Sequence, residues 1–208
     1  MMGKVVLVVG GAGSIGAAAA RRFAELSARV AISHRDLPEE AAAAATVVQS
    51  LPGDGHAALM ADVARTDTLK ALRVEIEQHF GRLDVMVNAA GFTKPVPHAD
   101  LEALDDDLID RMFAVNWRGQ FAAIRTFAPL LKASGDGLVV SLSSIAATNG
   151  IGSSIAYCAA KAGIDVMTKS LARVLAPEVR VLAVAPGVVD TSFVPGRSAD
   201  FKIGRAHV

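Results

Sequence analysis

Val5-Val6-Leu7-Val8-Val9-Gly10-Gly11-Ala12-Gly13-Ser14-Ile15-Gly16 is the stretch whose reading decides the fold. An unbroken apolar run of mostly β-branched residues suits a strand covered on both faces, the situation of an inner strand in a parallel sheet. The run is too short to cross a membrane, and no signal-peptide cleavage pattern follows it. Glycines 11, 13 and 16 then form G-x-G-x-x-G between this strand and an alanine-rich helix, the context the motif requires. Glycine permits the tight turn and lets the backbone approach a pyrophosphate at the helix N-terminus. The plain alternative is a glycine-rich turn that holds nothing.

Outward from this turn, short apolar runs alternate with longer helical stretches. Strands are expected at residues 4–9, 29–33, 56–61, 82–88, 137–143 and 179–185. Helices are expected at 15–26, 38–50, 66–80, 101–112, 116–132 and 153–175. The helix at 38–50 opens on Pro38, Glu39 and Glu40, where a missing N–H and negative charge suit a first turn. The repeated β-α-β rhythm predicts an α/β, doubly wound parallel sheet (a Rossmann fold) with helices on both faces. No internal repeat, linker or domain boundary interrupts it, so a single domain over residues 1–202 is expected.

Composition supports a folded domain and narrows its partners. The chain has 208 residues, 52% hydrophobic and 20% charged, enough to bury a core. Lys plus Arg and Asp plus Glu both number 21, for a net charge of zero. That balance argues against nucleic acid and anionic membrane, which demand a basic surface. The single cysteine, Cys158, cannot form an internal disulfide, so a cytoplasmic location is the default. With no histidine partner evident, it reads as a small packing residue rather than a nucleophile. The five histidines lack ligand spacing, Asp105-Asp106-Asp107 reads as a solvated helix start, and no metal is expected.

Chemistry is expected at the carboxyl edge of the sheet. The second strand ends in Ser33-His34-Arg35-Asp36, without the terminal carboxylate that would bond the 2′-hydroxyl of NAD. Arg35 can instead pair with the 2′-phosphate of NADP, which favours NADP over NAD. The other reading of Arg35 is a solvated loop residue. Tyr157 and Lys161, four apart on a predicted helix, share a face. A nearby lysine cation favours the phenolate over the neutral phenol, whose ordinary pKa is about 10. Such a tyrosine can give a proton to a carbonyl being reduced or take one from an alcohol being oxidised. Ser144, at the end of the preceding strand, can hydrogen-bond the same substrate oxygen. On its own, a Tyr/Lys pair at this spacing is common on solvated helix faces.

Together these residues make the sequence similar to the short-chain dehydrogenase/reductase family, nearly end to end. The family's Tyr-x-x-x-Lys stands as Tyr157-Cys158-Ala159-Ala160-Lys161 and its Asn-Asn-Ala-Gly as Asn88-Ala89-Ala90-Gly91. Its active-site asparagine corresponds to Asn116 in Val115-Asn116-Trp117-Arg118-Gly119, and its Asp-Val to Asp62-Val63. Its Pro-Gly motif stands as Pro186-Gly187-Val188-Val189-Asp190-Thr191. The resemblance implies an oxidoreductase moving hydride between NADP(H) and a carbonyl or secondary alcohol, close to bacterial 3-oxoacyl-thioester and small-ketone reductases. Tyr157 would be the general acid/base and Ser144 the residue orienting the carbonyl. Lys161 would hold the nicotinamide ribose, and Asn116 would position a water in a proton relay. Gly10, Gly13, Ser14, Ile15 and Gly16 would form the phosphate loop, and Asp62 and Val63 the adenine side. Asn88 and Ala90 would line the adenosine ribose; Pro186, Gly187, Val189 and Thr191 would anchor the nicotinamide amide. A homo-oligomer paired through the helices beginning near Asn116 and Ser153 is also implied. The alternatives are a dinucleotide sensor without catalysis, and a shortened reductase without activity of its own.

The sequence departs from the family pattern in places. Val9 replaces the usual threonine, removing a hydroxyl that would tie the loop to its neighbour. The spacing of Gly10, Gly13 and Gly16 resembles the family's extended branch, with Ser14 where the simpler branch has its middle glycine. The family ordinarily adds a substrate-covering segment, a helix and a strand beyond the Pro-Gly motif; these are expected to be missing here. Residues 203–208 can be encoded by ATC GGA AGA GCA CAC GTC followed by TGA, a sequencing-adapter sequence, and are expected to be non-native; the alternative is a natural short tail.

Overall fold

The structure is a computed structural model and describes residues 1–195; the tail at 203–208 and the end of the expected domain lie outside these. In chain order the elements are β1 (Val5–Val9), α1 (Ser14–Glu25), β2 (Arg29–His34), α2 (Pro38–Gln49), β3 (Ala57–Met60), α3 (Thr66–Phe80) and β4 (Val85–Asn88). There follow α4 (Asp106–Phe113), a π-helical turn (Ala114–Arg118), α5 (Gly119–Ala133), β5 (Gly137–Leu142), α6 (Ala146–Asn149), α7 (Ile155–Leu175) and β6 (Val179–Val184). The strands form one six-stranded sheet in the order β3-β2-β1-β4-β5-β6, every pairing parallel. The expected doubly wound sheet is therefore present, and β1 lies at the point where strand order reverses.

Strand β1 shows why. All five of its residues are buried, and alternate side chains serve opposite layers. Val5, Leu7 and Val9 join Leu69, Leu72 and Ile76 of α3 and Ile124, Phe127 and Leu131 of α5 in one core. Val6 and Val8 join Ala20 and Ala24 of α1 and Ala44 of α2 in the other. The alanines let α1 and α2 lie close against the sheet, which explains why these helices carry so few large side chains. At the far side, Val179 and Val181 of β6 are buried, whereas Leu182 and Val184, on the opposite face, are each 51% exposed.

Differences from the sequence reading have local causes. Helix α4 begins at Asp106, not near 101, because the Asp105 carboxylate caps it by accepting the Leu108 N–H at 2.8 Å. Helices α4 and α5 are not separate; they run together through the π-helical turn. The one-turn helix α6 escaped the sequence reading altogether, and Gly150, with φ +68°, closes it.

Asp84 fastens the amino ends of β1 and β4. Its buried carboxylate accepts from the Val5 N–H at 2.9 Å, Lys4 Nζ at 3.0 Å and Arg82 at 2.6 and 2.9 Å. Burial pushes this carboxyl up, but the bonds from Arg82, Val5 and Lys4 outweigh it, and the net shift is downward. Because the partner cations are partly exposed, Asp84→Asn should cost roughly 1–3 kcal/mol at pH 7. A lowered carboxyl contributes stability above its unfolded pKa, so the deficit should shrink as pH falls below about 4. Urea unfolding of both chains at pH 7 and pH 3.5 measures it.

Candidate active site

Parallel strands place all their carboxyl ends on one edge, and the candidate residues lie at those strand ends, in the loops that leave them and on the helices that follow. The first loop is held by backbone contact. Gly10 has φ +76°, and a Cβ there would come within 2.7 Å of the Ala90 backbone. A Cβ on Gly16 would come within 2.5 Å of the Gly10 carbonyl oxygen. Gly13 differs: it has an ordinary extended backbone, and among the described residues a Cβ there would meet only the Gly10 oxygen, at 3.5 Å. The protein itself does not require glycine at 13. Gly13 also provides no side-chain cap for α1, leaving the helix's first N–H groups to an outside acceptor. This bare, positively polarised turn fits a pyrophosphate.

The tie expected to be lost with Val9 is supplied from β2. Ser33, buried, accepts the Gly10 N–H on its hydroxyl at 3.2 Å, and its carbonyl accepts the Gly11 N–H at 3.2 Å. Sequence reasoning did not single out Ser33; its signal was a hydroxyl inside an otherwise apolar buried strand.

After β2 and β3, a pocket is lined by Arg35, Asp36, Leu37, Met60, Asp62, Arg65 and Thr68. Asp62 closes its own turn, accepting the Ala64 N–H at 2.9 Å, and Thr68 holds the Asp62 backbone. Val63 is buried against Gly119 of α5, so its side chain belongs to the core. Asn88 is also buried; its Oδ1 has no hydrogen-bond partner among the described residues, and its amide lies 3.5 Å from the Ser141 hydroxyl. A larger groove between α3 and α5, lined by Lys70, Arg73 and Arg125 among others, lies off the strand edge and contains no expected site residue.

Asn116 accounts for the π-helical turn. Its Oδ1 accepts the Phe92 N–H at 3.1 Å, while Nδ2 donates to the carbonyls of Phe92 at 2.8 Å and Met112 at 2.9 Å. A side chain that takes a carbonyl of the preceding turn widens the helix locally, and such turns recur at functional sites. The Asn116 amide thus clasps the loop after β4.

On the other side, Lys161 and Tyr157 project from α7, which is capped by the Ser154 hydroxyl accepting the Tyr157 N–H at 3.1 Å. Lys161 is buried, and its Nζ donates to the Leu142 carbonyl, at the end of β5, at 2.6 Å. The Ser143 hydroxyl in turn donates to the Lys161 carbonyl at 3.3 Å. These bonds fix α7 to the segment leading into Ser144. Ser144 Oγ accepts the Ala146 N–H at 3.2 Å, which leaves its O–H to donate. The Lys161 ammonium lies 5.6 Å from the Tyr157 ring centre. The post-β6 loop reaches the same place: Pro186 accepts the Ile145 N–H at 3.1 Å. Val189 is 41% exposed there, and the Thr191 hydroxyl accepts the Phe193 N–H at 3.3 Å. Phe193, not anticipated from sequence, packs its ring 6.2 Å from that of Tyr157.

Comparison with known proteins agrees with this geometry. The short chain dehydrogenase family matches residues 4–201. The chain is 37% identical over 202 residues to cis-4-hydroxycyclohexanecarboxylate dehydrogenase of Sinomonas cyclohexanicum, covering 96% of this chain and 78% of that one. It is 34% identical over 203 residues to 3-oxoacyl-[acyl-carrier-protein] reductase of Staphylococcus aureus, covering 97% and 80%. The crystal structure of 3-ketoacyl-(acyl-carrier-protein) reductase from Brucella melitensis, complexed with NADH, superimposes with a TM-score of 0.84 at 31% identity, covering 92% and 78%. The chain belongs to the short-chain dehydrogenase family and is an oxidoreductase. No helix among the described residues is long and apolar enough to cross a membrane.

Burial pushes the Lys161 pKa down to about 8, with Asp165 opposing the shift. A lysine whose folded pKa lies below its unfolded value destabilises the fold while both states are protonated, and the penalty lifts as pH rises from about 8 to about 10.5. The native chain should therefore gain stability relative to Lys161→Met over that range, by up to about 3 kcal/mol. Thermal unfolding of the two chains at pH 7 and pH 10 reads the difference; a constant gap would refute the burial penalty.

Proposed function

We propose that the chain is an NADP(H)-preferring reductase of small-molecule carbonyl compounds, reversibly a dehydrogenase of the matching secondary alcohols. The observation that carries this reading is the buried Lys161 ammonium, held by the Leu142 carbonyl one helical turn beyond Tyr157 and beside the strand end that delivers Ser144. A charge is costly to bury, and this one has a chemical use at the place where it is buried.

In this reading the turn of Gly10, Gly13, Ser14, Ile15 and Gly16 holds the pyrophosphate, and Arg35 meets the 2′-phosphate. Asp62 and the Val63 backbone meet the adenine, and Asn88 and Ala90 the ribose beside it. Lys161 holds the second ribose, with Pro186, Gly187, Val189 and Thr191 around the nicotinamide amide. When bound, the nicotinamide supplies the hydride to carbon or accepts it. The Ser144 O–H donates to the carbonyl oxygen and fixes its direction. The Tyr157 phenol gives that oxygen its proton, and the Lys161 ammonium stabilises the negative charge left on the phenol oxygen. Asn116 is a positioning residue that holds the loop after β4 against the site. Phe193, beside Tyr157, limits the substrate's width.

Replacing Tyr157 with Phe removes the proton donor and keeps the ring. Ketone reduction should fall roughly a hundred- to ten-thousand-fold, while the dissociation constant for NADPH, measured by fluorescence titration, stays within a factor of about three. Undiminished turnover in the variant would overturn the assignment.

A further inference from the structure

The pocket after β2 and β3 contains an interaction that local sequence patterns do not report. Arg35, whose guanidinium was expected to be available, is engaged by Glu40 of α2. Its Nε donates to Glu40 Oε1 at 2.9 Å, its Nη2 to the same oxygen, and its backbone N–H to Oε2 at 3.0 Å. One carboxylate thus accepts three donors of one residue. The Arg35 side chain is 51% exposed and that of Glu40 29%, so the pair sits at the pocket wall and not in the core. The bonds act on both partners: Glu40 raises the Arg35 pKa, and Arg35 lowers that of Glu40.

The surroundings sharpen the consequence. Asp36 and Asp62 line the same pocket, and Glu39 adjoins Glu40. Arg65 lines the pocket too, and its Nη2 donates to the exposed Asp67 carboxylate at 2.7 Å. Both arginines known to line this pocket are therefore already paired, in a pocket with further carboxylates. A dianion entering here must displace the Glu40 carboxylate from Arg35 or share the guanidinium with it. A ribose with a free 2′-hydroxyl faces no such competition, and the carboxylates can accept its O–H.

We propose that Glu40 is a specificity-determining residue: by occupying Arg35 it narrows the chain's preference for a 2′-phosphorylated dinucleotide over the unphosphorylated one. This rests on the proposed dinucleotide site. It places the cofactor choice in the first turn of α2, five residues beyond the strand-end position that sequence reasoning inspects. Glu40→Gln keeps the side chain's shape and removes its charge, freeing Arg35 for phosphate.

Two fragments isolate the subsite from the rest of the site: adenosine 2′,5′-bisphosphate and AMP, titrated calorimetrically into the 208-residue chain. Glu40→Gln should tighten the bisphosphate by roughly five- to tenfold, the scale of releasing a partly exposed ion pair, and leave AMP within about twofold. Glu40→Ala should act in the same direction. Adding Arg35→Ala to Glu40→Gln should cancel the gain, because the freed guanidinium is its source. Unchanged bisphosphate affinity in both Glu40 variants, or an equal gain for both fragments, overturns the role of Glu40 while leaving the dinucleotide site standing. If the native chain binds neither fragment and neither NADPH nor NADH, the site reading falls and the role of Glu40 falls with it.

Discussion

The organisation of the site depends on one steric constraint, the contact between the backbone of the first turn and the backbone leaving β4. Gly10 has a left-handed φ and lies so close to Ala90 that no side chain fits between them. That approach is possible because β1 and β4 are parallel neighbours in register, with Val9 opposite Asn88. Both segments leave the sheet together, and the glycine turn and the Asn88–Gly91 segment become a single wall. Beyond Gly91, Asn116 binds Phe92 through both its N–H and its carbonyl. The π-helical turn thereby joins the same wall, and an error at Gly10 would propagate along it.

The opposite wall is electrostatic in origin. Lys161 is buried close to the end of β5, where the Leu142 carbonyl offsets part of the cost of taking an ammonium from water. Because α7 carries Lys161 and Tyr157 one turn apart, fixing the first orients the second. The Ser143 bond to the Lys161 carbonyl fixes the approach of Ser144 as well. Between these walls the carboxyl edge brings the backbone of the glycine turn on one side and the side chains of Tyr157 and Ser144 on the other. This division suits a reaction in which negative charge appears on a substrate oxygen.

Much of this was legible in the sequence because the controlling signals are local. The unbroken run at residues 5–9, the spacing of the glycines and the four-residue separation of Tyr157 and Lys161 each report a geometry that neighbouring residues enforce. The parallel sheet followed from the alternation of strands and helices. What was not legible depends on pairings across the fold. Ser33 reaches the glycine turn from another strand. Asn116 clasps the loop after β4 only because Phe92 lies in reach. Phe193 meets Tyr157 from a loop that follows β6. Arg35 looked available because the partner that engages it lies in the next helix, where Glu40 read as an ordinary first-turn acid. Val63 belonged to a motif associated with cofactor contact, yet its side chain packs against Gly119.

Hydride transfer is the central claim, and isotopic tracing tests it most directly. The 208-residue chain would be incubated with a panel of small ketones and NADPH deuterated at both positions of the nicotinamide C4, and the alcohols formed examined by mass spectrometry. Transfer within the site described predicts an alcohol carrying one deuterium on the former carbonyl carbon, with the oxygen-bound proton drawn from water. Alcohol formed without deuterium, or dinucleotide bound tightly with no alcohol from any ketone, would contradict it.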